Sequence, residues 1–472
     1  MKWILKTPRS WARLLLAASL LCAAGGAWPH LARAQAAGPT YVVEPGDTLF
    51  GIAQQFGLTL EALQRANPDV SAEALQIGQV LIIPGLAEVA GQLGTHRLEP
   101  GESLGSLALR FGLQRETLIR LNRLVNPDRL YINQPIVLVD PADAGAPLEK
   151  GALVTASPDE GWLALAAARN QNPWALAASN RLARPSALPP GGAVAVPGGE
   201  APLTALPPAI RAMQLHPLPA EQGRTLSVRL IAASPITLTA ALGDWPLVFN
   251  VDLAQANSYS ALLGLYRLAE PNLYPLTLAV TDETGRTARF AQSLAVRAGD
   301  FSVDPPLNVD PATIDPAVTE PELARIKTVV APVTPIRYWE GVFQVPSVGA
   351  LRSLYGALRS YNGGPYDSFH SGMDFTGAED RPITAPAPGV VVLAELLTVR
   401  GNATIINHGW GVYTGYWHQS VIQAQVGQTV ETGQIIGFQG ATGRVTGPHL
   451  HWEVWVGGFQ VDPLEWTETP FP

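Results

Sequence analysis

The sequence predicts a multidomain, mainly β protein: small βααβ modules in front, an antiparallel β-sandwich in the middle, and a C-terminal antiparallel β-sheet domain. Three observations carry this. The 472 residues are enough for several domains, and a 47% hydrophobic content supports ordinary cores. Forty-five glycines and 42 prolines favour strands, turns and linkers over long helices. A segment of the N-terminal half recurs, whereas five of the eight histidines crowd into the last quarter.

Residues 1–34 read as a signal peptide. Lys2, Lys6, Arg9 and Arg13 precede an apolar run over 14–27 that is too short for a comfortable membrane span. Ala32-Arg33-Ala34 supplies an A-x-A cleavage pattern, leaving Gln35 first; an uncleaved anchor is the alternative. The lone cysteine, Cys22, falls inside this segment, and the large Leu21 before it does not fit a lipid-anchor site. The expectation is therefore an exported, cysteine-free protein of the cell envelope, periplasm or exterior, with no stable membrane span after cleavage and stability left to packing. Cleavage removes five basic and no acidic residues, leaving 26 basic (31 less five) against 39 acidic, a formal −13. Such a charge disfavours nucleic acid as a partner and argues against electrostatic capture by other anionic polymers.

Residues 40–85 and 95–140 are two copies of one pattern: strand, Pro-Gly turn, amphipathic helix, second helix ending near Asn, strand. YVVEPGDTLFGIAQQFG and HRLEPGESLGSLALRFG open them. A worn third copy spans 151–198, with Pro45, Pro100 and Pro158 spaced like Asn67, Asn122 and Asn180. The pattern resembles LysM modules, which implies binding of N-acetylglucosamine-containing glycans. The resemblance makes Gly46, Asp47, Thr48, Asn67 and Pro68 candidate carbohydrate contacts. The same residue types also serve plain turn chemistry and a helix N-cap.

Residues 201–219 are Pro-rich and read as a linker. Short alternating runs over 221–299, among them LSVRLIA, ITLTAAL and LYPLTLAVTD, predict a β-sandwich of immunoglobulin-like type without a site of its own. Residues 300–334, with their Asp-Pro pairs, read as a second linker holding a short helix over 321–330.

The chemistry lies in 335–472. TGPHLHWEV places His449 and His451 at i, i+2, a spacing that aims both imidazoles to one face of a strand. FHSGMDF adds His370 and Asp374, on a Gly-rich approach that favours a loop entering a strand over a helix. Two imidazoles and one carboxylate form a set typical of catalytic zinc. His418 lies between the two motifs, in YWHQS.

These motifs, with ITAPAPGVVV, INHGWGVYTGYWHQS and VGQTVETGQIIGFQGATG in the same order, resemble the lysostaphin/LytM-type zinc endopeptidases of bacterial cell walls. The resemblance implies a C-terminal zinc metallopeptidase domain with one zinc per chain, held by His370, Asp374 and His451. It implies His449 as general base and His418 as a second catalytic histidine that helps polarise the carbonyl or hold the developing oxyanion. Tyr361, Tyr366 and Tyr416 are candidate extra donors, with packing as the simpler role, and His408 reads as structural. The implied function is hydrolysis of the peptide stems or cross-links of peptidoglycan, with LysM modules supplying wall binding. The alternative is a non-enzymatic wall-binding scaffold or activator of another hydrolase, whose mark would be missing ligands; none is missing.

Overall fold

The computed structural model describes residues 38–71, 75–86, 89, 91–127, 129–140, 152–155, 162–180, 193–196, 205–253 and 255–472. The expected signal peptide lies outside the described residues. Two units separate after Ala90, and each is taken by itself. No described helix is long and apolar enough to cross a membrane.

The first unit is one module. Strands Thr40–Val42 and Val80–Ile82 pair antiparallel around helices Leu49–Gln55 and Leu60–Ala66. Thr48 and Thr59 cap the two helices, their hydroxyls accepting from Gly51 N and Ala62 N; such caps are worth about 1 kcal/mol each.

The second unit opens with the second copy: strands Gln92–Arg97 and Pro135–Asp140 around helices Leu104–Phe111 and Arg115–Leu121. The first of these helices starts in a reciprocal Ser103–Ser106 capping box. The third copy repeats the plan with strands Ala152–Thr155 and Ala193–Val196 and helices Trp162–Ala168 and Pro173–Ser179. One device recurs in all three. The side-chain amide of Asn67 donates to Leu63 O and Ile82 O and accepts from Ile82 N. Asn122 and Asn180 make the same three bonds, to Leu118 and Val137 and to Leu176 and Ala195. Each asparagine ties the end of the second helix to the closing strand, so its spacing repeats because the fold needs it.

Two sheets form the middle domain around one core that includes Leu226, Val228, Leu230, Leu276 and Leu278. One sheet runs Asn250–Val251, Ser258–Gly264, Thr225–Ala232, Ile210–His216; the other runs Trp245–Leu247, Thr237–Leu242, Asn272–Thr281, Thr287–Arg297. Tyr131–Ile132 of the second module adds in parallel to Thr287–Arg297. Strand Ile210–His216 corrects the linker reading of 201–219. Ile210, Met213 and Leu215 are buried in the sandwich core, and the prolines flank the strand instead of interrupting it.

The C-terminal domain is a large antiparallel sheet with strands β1 (Ala350–Ser353), β2 (Met373–Thr376), β3 (Pro382–Thr384), β4 (Gly389–Leu397), β5 (Gly401–Gly409), β6 (Val412–Ile422), β7 (Thr429–Val430), β8 (Ile435–Gln439), β9 (His449–Val456) and β10 (Phe459–Val461). Its main order is β1-β2-β9-β6-β5-β4-β7, with β8 bridging β3 and β6, and β10 on β9. Alternation sorts each strand. Leu450, Trp452, Val454 and Val456 of β9 enter the larger core with Phe375, Ile406 and Tyr416. Trp455 turns to the other face, beside Trp417, Tyr413 and Ile405.

That second face is covered by α1 (Pro316–Val330), inside the segment expected to be a linker. Asp315 caps it and Pro316 fills its first position, so it starts five residues before the expected Pro321. Ile326 and Val330 bury against the sheet. Glu322 reaches the β4–β5 turn, accepting from Val399 N (2.7 Å), Arg400 N (3.1 Å) and Arg400 Nη1 (2.9 Å).

Candidate metal centre

β2 and β9 lie side by side with Asp374 opposite His451 and Thr376 opposite His449. Cross-strand partners point to one face, so register alone brings Asp374, His451 and His449 together. His370 arrives from strand Ser368–Phe369 across Ser371-Gly372. A Cβ at Gly372 would sit 2.1 Å from Trp452 O and 2.9 Å from His451 Nε2, so only glycine lets this turn pass over β9.

Three ligand-type atoms converge. His370 Nε2 is 3.0 Å from Asp374 Oδ1 and 2.9 Å from His451 Nδ1, and His451 Nδ1 is 2.8 Å from Asp374 Oδ1. These residues form a cluster fit to hold a metal ion, and all three are buried or nearly so.

The tautomers follow from the outer partners, because a carbonyl or a carboxylate can only accept. His370 Nδ1–H donates to Leu354 O at 2.8 Å, and His451 Nε2–H to Glu453 Oε1 at 3.2 Å. His449 Nδ1–H donates to Gly447 O and His418 Nδ1–H to Thr442 O, both at 2.8 Å. Each ring therefore has one nitrogen held by an outer acceptor. At His370 and His451 the other nitrogen also faces an acceptor, Asp374, and it becomes a ligand where a metal ion takes the place of that proton, while His449 Nε2 stands 3.7 Å from the same Asp374 oxygen. The His418 ring centroid lies 4.8 Å from that of His449 and 6.2 Å from that of His451. Borderline-soft imidazoles plus one carboxylate, with outer acceptors fixing each ring, suit zinc.

His418 reaches this face by an irregularity. In β5 and β6, Asn402 pairs with Gln419 but Thr404 with Tyr416, so β6 carries one extra residue. Strict alternation would place His418 with Tyr416 on the opposite face from Trp417 and His451. The bulge and a left-handed φ of +65° at His418 turn the ring to the site. Arg400 O accepts from His418 N at 2.9 Å, linking the bulge to the turn held by Glu322.

Electrostatics follow burial and pairing. Burial depresses His370 to about 4 and lowers His449. It also takes His418 well below its ordinary value, helped by His449 and His451. Burial opposes the Asp374 carboxylate, but His370 and His451 outweigh it and hold its pKa well below the usual range. For His451, bonds to Asp374 and Glu453 overcome burial and raise the pKa. Glu453 is held at about 2 despite burial, chiefly by His451 and Arg400.

Several residues of the site carry no motif. Arg359 binds the second Asp374 oxygen at 3.3 Å and Asp304 at 3.0 Å. Ser371 Oγ donates to Glu453 at 2.6 Å. Glu453 had a sequence signal, since it stands two residues from His451 on one strand face; Arg359 had none. Tyr366 donates to Asp304 O, and Tyr416 is buried in a hydrogen bond with Thr414. His408 is also buried, between Pro388 O and Thr414 Oγ1. Asp374, His418, His449 and His451 line a cleft of about 730 Å³ whose wall also includes Tyr361, Trp417, Arg400 and Arg444.

The LysM candidates are distant in sequence and belong to the first unit. Asp47 accepts from Tyr41 OH and Glu44 N, Thr48 caps a helix, and Asn67 is buried with its amide engaged as above. Gly46 and Pro68 are exposed.

Residues 368–463, which hold all five site residues, match Peptidase family M23, and residues 41–84 and 96–139 match the LysM domain. The chain carries a family M23 peptidase domain and two LysM domains. Over 95 residues it is 41% identical to the DD-carboxypeptidase/endopeptidase Mpg of Neisseria meningitidis, covering 20% of this chain and 22% of that protein. Over 96 residues it is 43% identical to the peptidoglycan DD-endopeptidase ShyA of Vibrio cholerae, with the same coverage. The chain thus spans about a fifth of the length of these curated relatives. A crystal structure of a peptidase M23 from Pseudomonas aeruginosa aligns with 54% of this chain and 96% of its own, at 26% identity and a TM-score of 0.40.

Proposed function

We propose that this chain is an exported zinc endopeptidase that hydrolyses the peptide stems or cross-links of bacterial peptidoglycan. The observation that carries the proposal is the convergence of His370 Nε2, His451 Nδ1 and Asp374 Oδ1 within 3.0 Å of one another, with the other nitrogen of each imidazole held by an outer acceptor. Support comes from the M23 match and from relatives named as DD-endopeptidases.

In this reading His370 Nε2, Asp374 and His451 Nδ1 hold one zinc, which when bound supplies Lewis acidity toward water and a peptide carbonyl. The chain's own residues do the rest. Arg359 anchors the second oxygen of Asp374 and so fixes which oxygen faces the histidines. Glu453 fixes the His451 tautomer. His449, neutral at pH 7 and bare at Nε2, accepts the proton of the attacking water and passes it to the leaving amine. The oxyanion-donor role expected for His418 has a condition. With Nδ1–H committed to Thr442, neutral His418 accepts at Nε2, and it can stabilise an oxyanion only after taking a proton itself.

The LysM modules, through contacts centred on exposed Gly46 and Pro68, hold the enzyme on glycan strands in the envelope or outside the cell. Tethering raises the local concentration of stems without altering the site. Asp47, Thr48 and Asn67 shape that surface. The test is digestion of purified sacculi by the zinc-loaded full-length chain, read by mass spectrometry. New amino termini inside stem peptides are expected. Sacculus binding without any cleavage, in a chain carrying one zinc, would replace the enzyme with a scaffold.

A further inference from the structure

The cleft wall carries Arg352, Arg359, Arg400 and Arg444, in a chain whose formal charge is −8. Two of them are matched: Arg359 by Asp304 and Asp374, Arg400 by Glu322. Arg444 has no carboxylate partner among the described residues. Its side chain donates from Nη1 to Thr313 O at 3.1 Å and stacks 4.7 Å from the Tyr361 ring centroid. A guanidinium has five N–H donors in a fixed fork, so most of this one remains for a ligand. Burial lowers its pKa from the ordinary arginine value, with Arg400 and Arg359 adding to the shift and Tyr361 and Glu322 opposing it.

Its place in the chain ties it to the chemistry. Residues 441–448 form one loop, closed where Gly440 bridges His449. The loop supplies Thr442 O to His418 and Gly447 O to His449, the two acceptors that orient the histidines outside the metal triad. Arg444 lies between them, its backbone N pinned to Val399 O at 2.8 Å.

We infer that Arg444 is a specificity-determining residue that binds a carboxylate of the peptide substrate and so sets the stem in register with His418 and His449. The inference rests on the endopeptidase reading. A planar fork beside an aromatic face suits bidentate carboxylate recognition. The carboxylate has two sources in a stem peptide, its free C-terminus or an acidic side chain.

The test measures kcat/KM of the zinc-loaded full-length chain on three synthetic cross-linked stem peptides: one with free carboxylates, one amidated at the C-terminus, one amidated at the side-chain carboxylate. Amidating one of the two positions should lower kcat/KM on the order of 10- to 100-fold, mostly through KM, and the position that responds names the source. Arg444→Gln should show the same loss on the free peptide and no further loss on the responsive amidated one, with Arg444→Lys recovering part. Equal cleavage of all three peptides by the unaltered chain would overturn the inference and leave the endopeptidase standing. So would an Arg444→Gln loss of the same size on every peptide. Cleavage of none of them, with zinc bound, would remove the endopeptidase reading and this inference with it.

Discussion

Glu453→Gln is a nearly isosteric change at a carboxylate that touches no metal ligand atom, yet it should weaken the metal centre. Glu453 is buried and collects three donors: His451 Nε2–H and Ser371 O–H on Oε1, Trp455 Nε1–H on Oε2 at 2.7 Å. A glutamine has one acceptor oxygen and one NH₂. If the oxygen keeps His451 and Ser371, the NH₂ faces the Trp455 N–H, leaving a buried donor unpaired at a cost of about 1–3 kcal/mol. If the amide flips, the NH₂ faces His451 Nε2 and drives the imidazole proton to Nδ1, the atom aimed at Asp374 and His370. The flipped amide disfavours the ligating tautomer of His451, and in either orientation the negative charge that raises the basicity of His451 is gone. Loss of such an outer partner lowers metal affinity about 10- to 100-fold, or about 1.4–2.7 kcal/mol. Competition against a chromophoric zinc chelator at fixed pH reads this directly, with circular dichroism as the control for folding. Unchanged zinc affinity in a folded Glu453→Gln protein would refute the tautomer argument.

Three further outcomes are expected. His449→Ala should keep its zinc and lose about 10²–10⁴ in kcat; near-normal turnover would remove His449 as the base. His418→Gly should be more stable than His418→Ala by about 1–2 kcal/mol, because only glycine relieves the left-handed backbone; thermal melting of the pair decides it, and both should lose hydrolysis. His408, held at about 4 by burial, stays neutral in the fold, so its contribution is complete above the unfolded value near pH 6.5 and is lost as pH falls toward about 4. That loss amounts to about 3 kcal/mol, and a His408→Gln domain should show a flatter pH–stability curve over this window in denaturant unfolding.

Strand periodicity makes much of the site legible in the sequence. His449, His451 and Asp374 needed only alternation and one antiparallel pairing to meet, and the glycine-bearing turn before Asp374 excluded a helix. His418 was legible as a residue but not as a geometry, since a bulge moves it across the sheet and no local pattern announces an extra residue in an otherwise regular strand. Arg359 and Glu322 act through contacts between segments far apart in the chain, which spacing does not encode. Proline misled twice: it hid strand Ile210–His216, which it brackets, and it set the start of α1 at Pro321 although Asp315-Pro316 forms the cap. Asn67 repeats in the sequence because its amide closes the module, while its candidacy as a glycan contact rests on the resemblance alone.

The central claim is that imidazole lone pairs and one carboxylate, already oriented by their outer partners, constitute a zinc site. Elemental analysis of the full-length chain beside His451→Ala, with X-ray absorption at the zinc edge, tests it most directly. One zinc per chain with two imidazole ligands and a carboxylate is expected in the unaltered protein, and loss of that zinc in His451→Ala. A full zinc complement retained by His451→Ala, or an unaltered chain that takes up none from zinc-replete buffer, would contradict it.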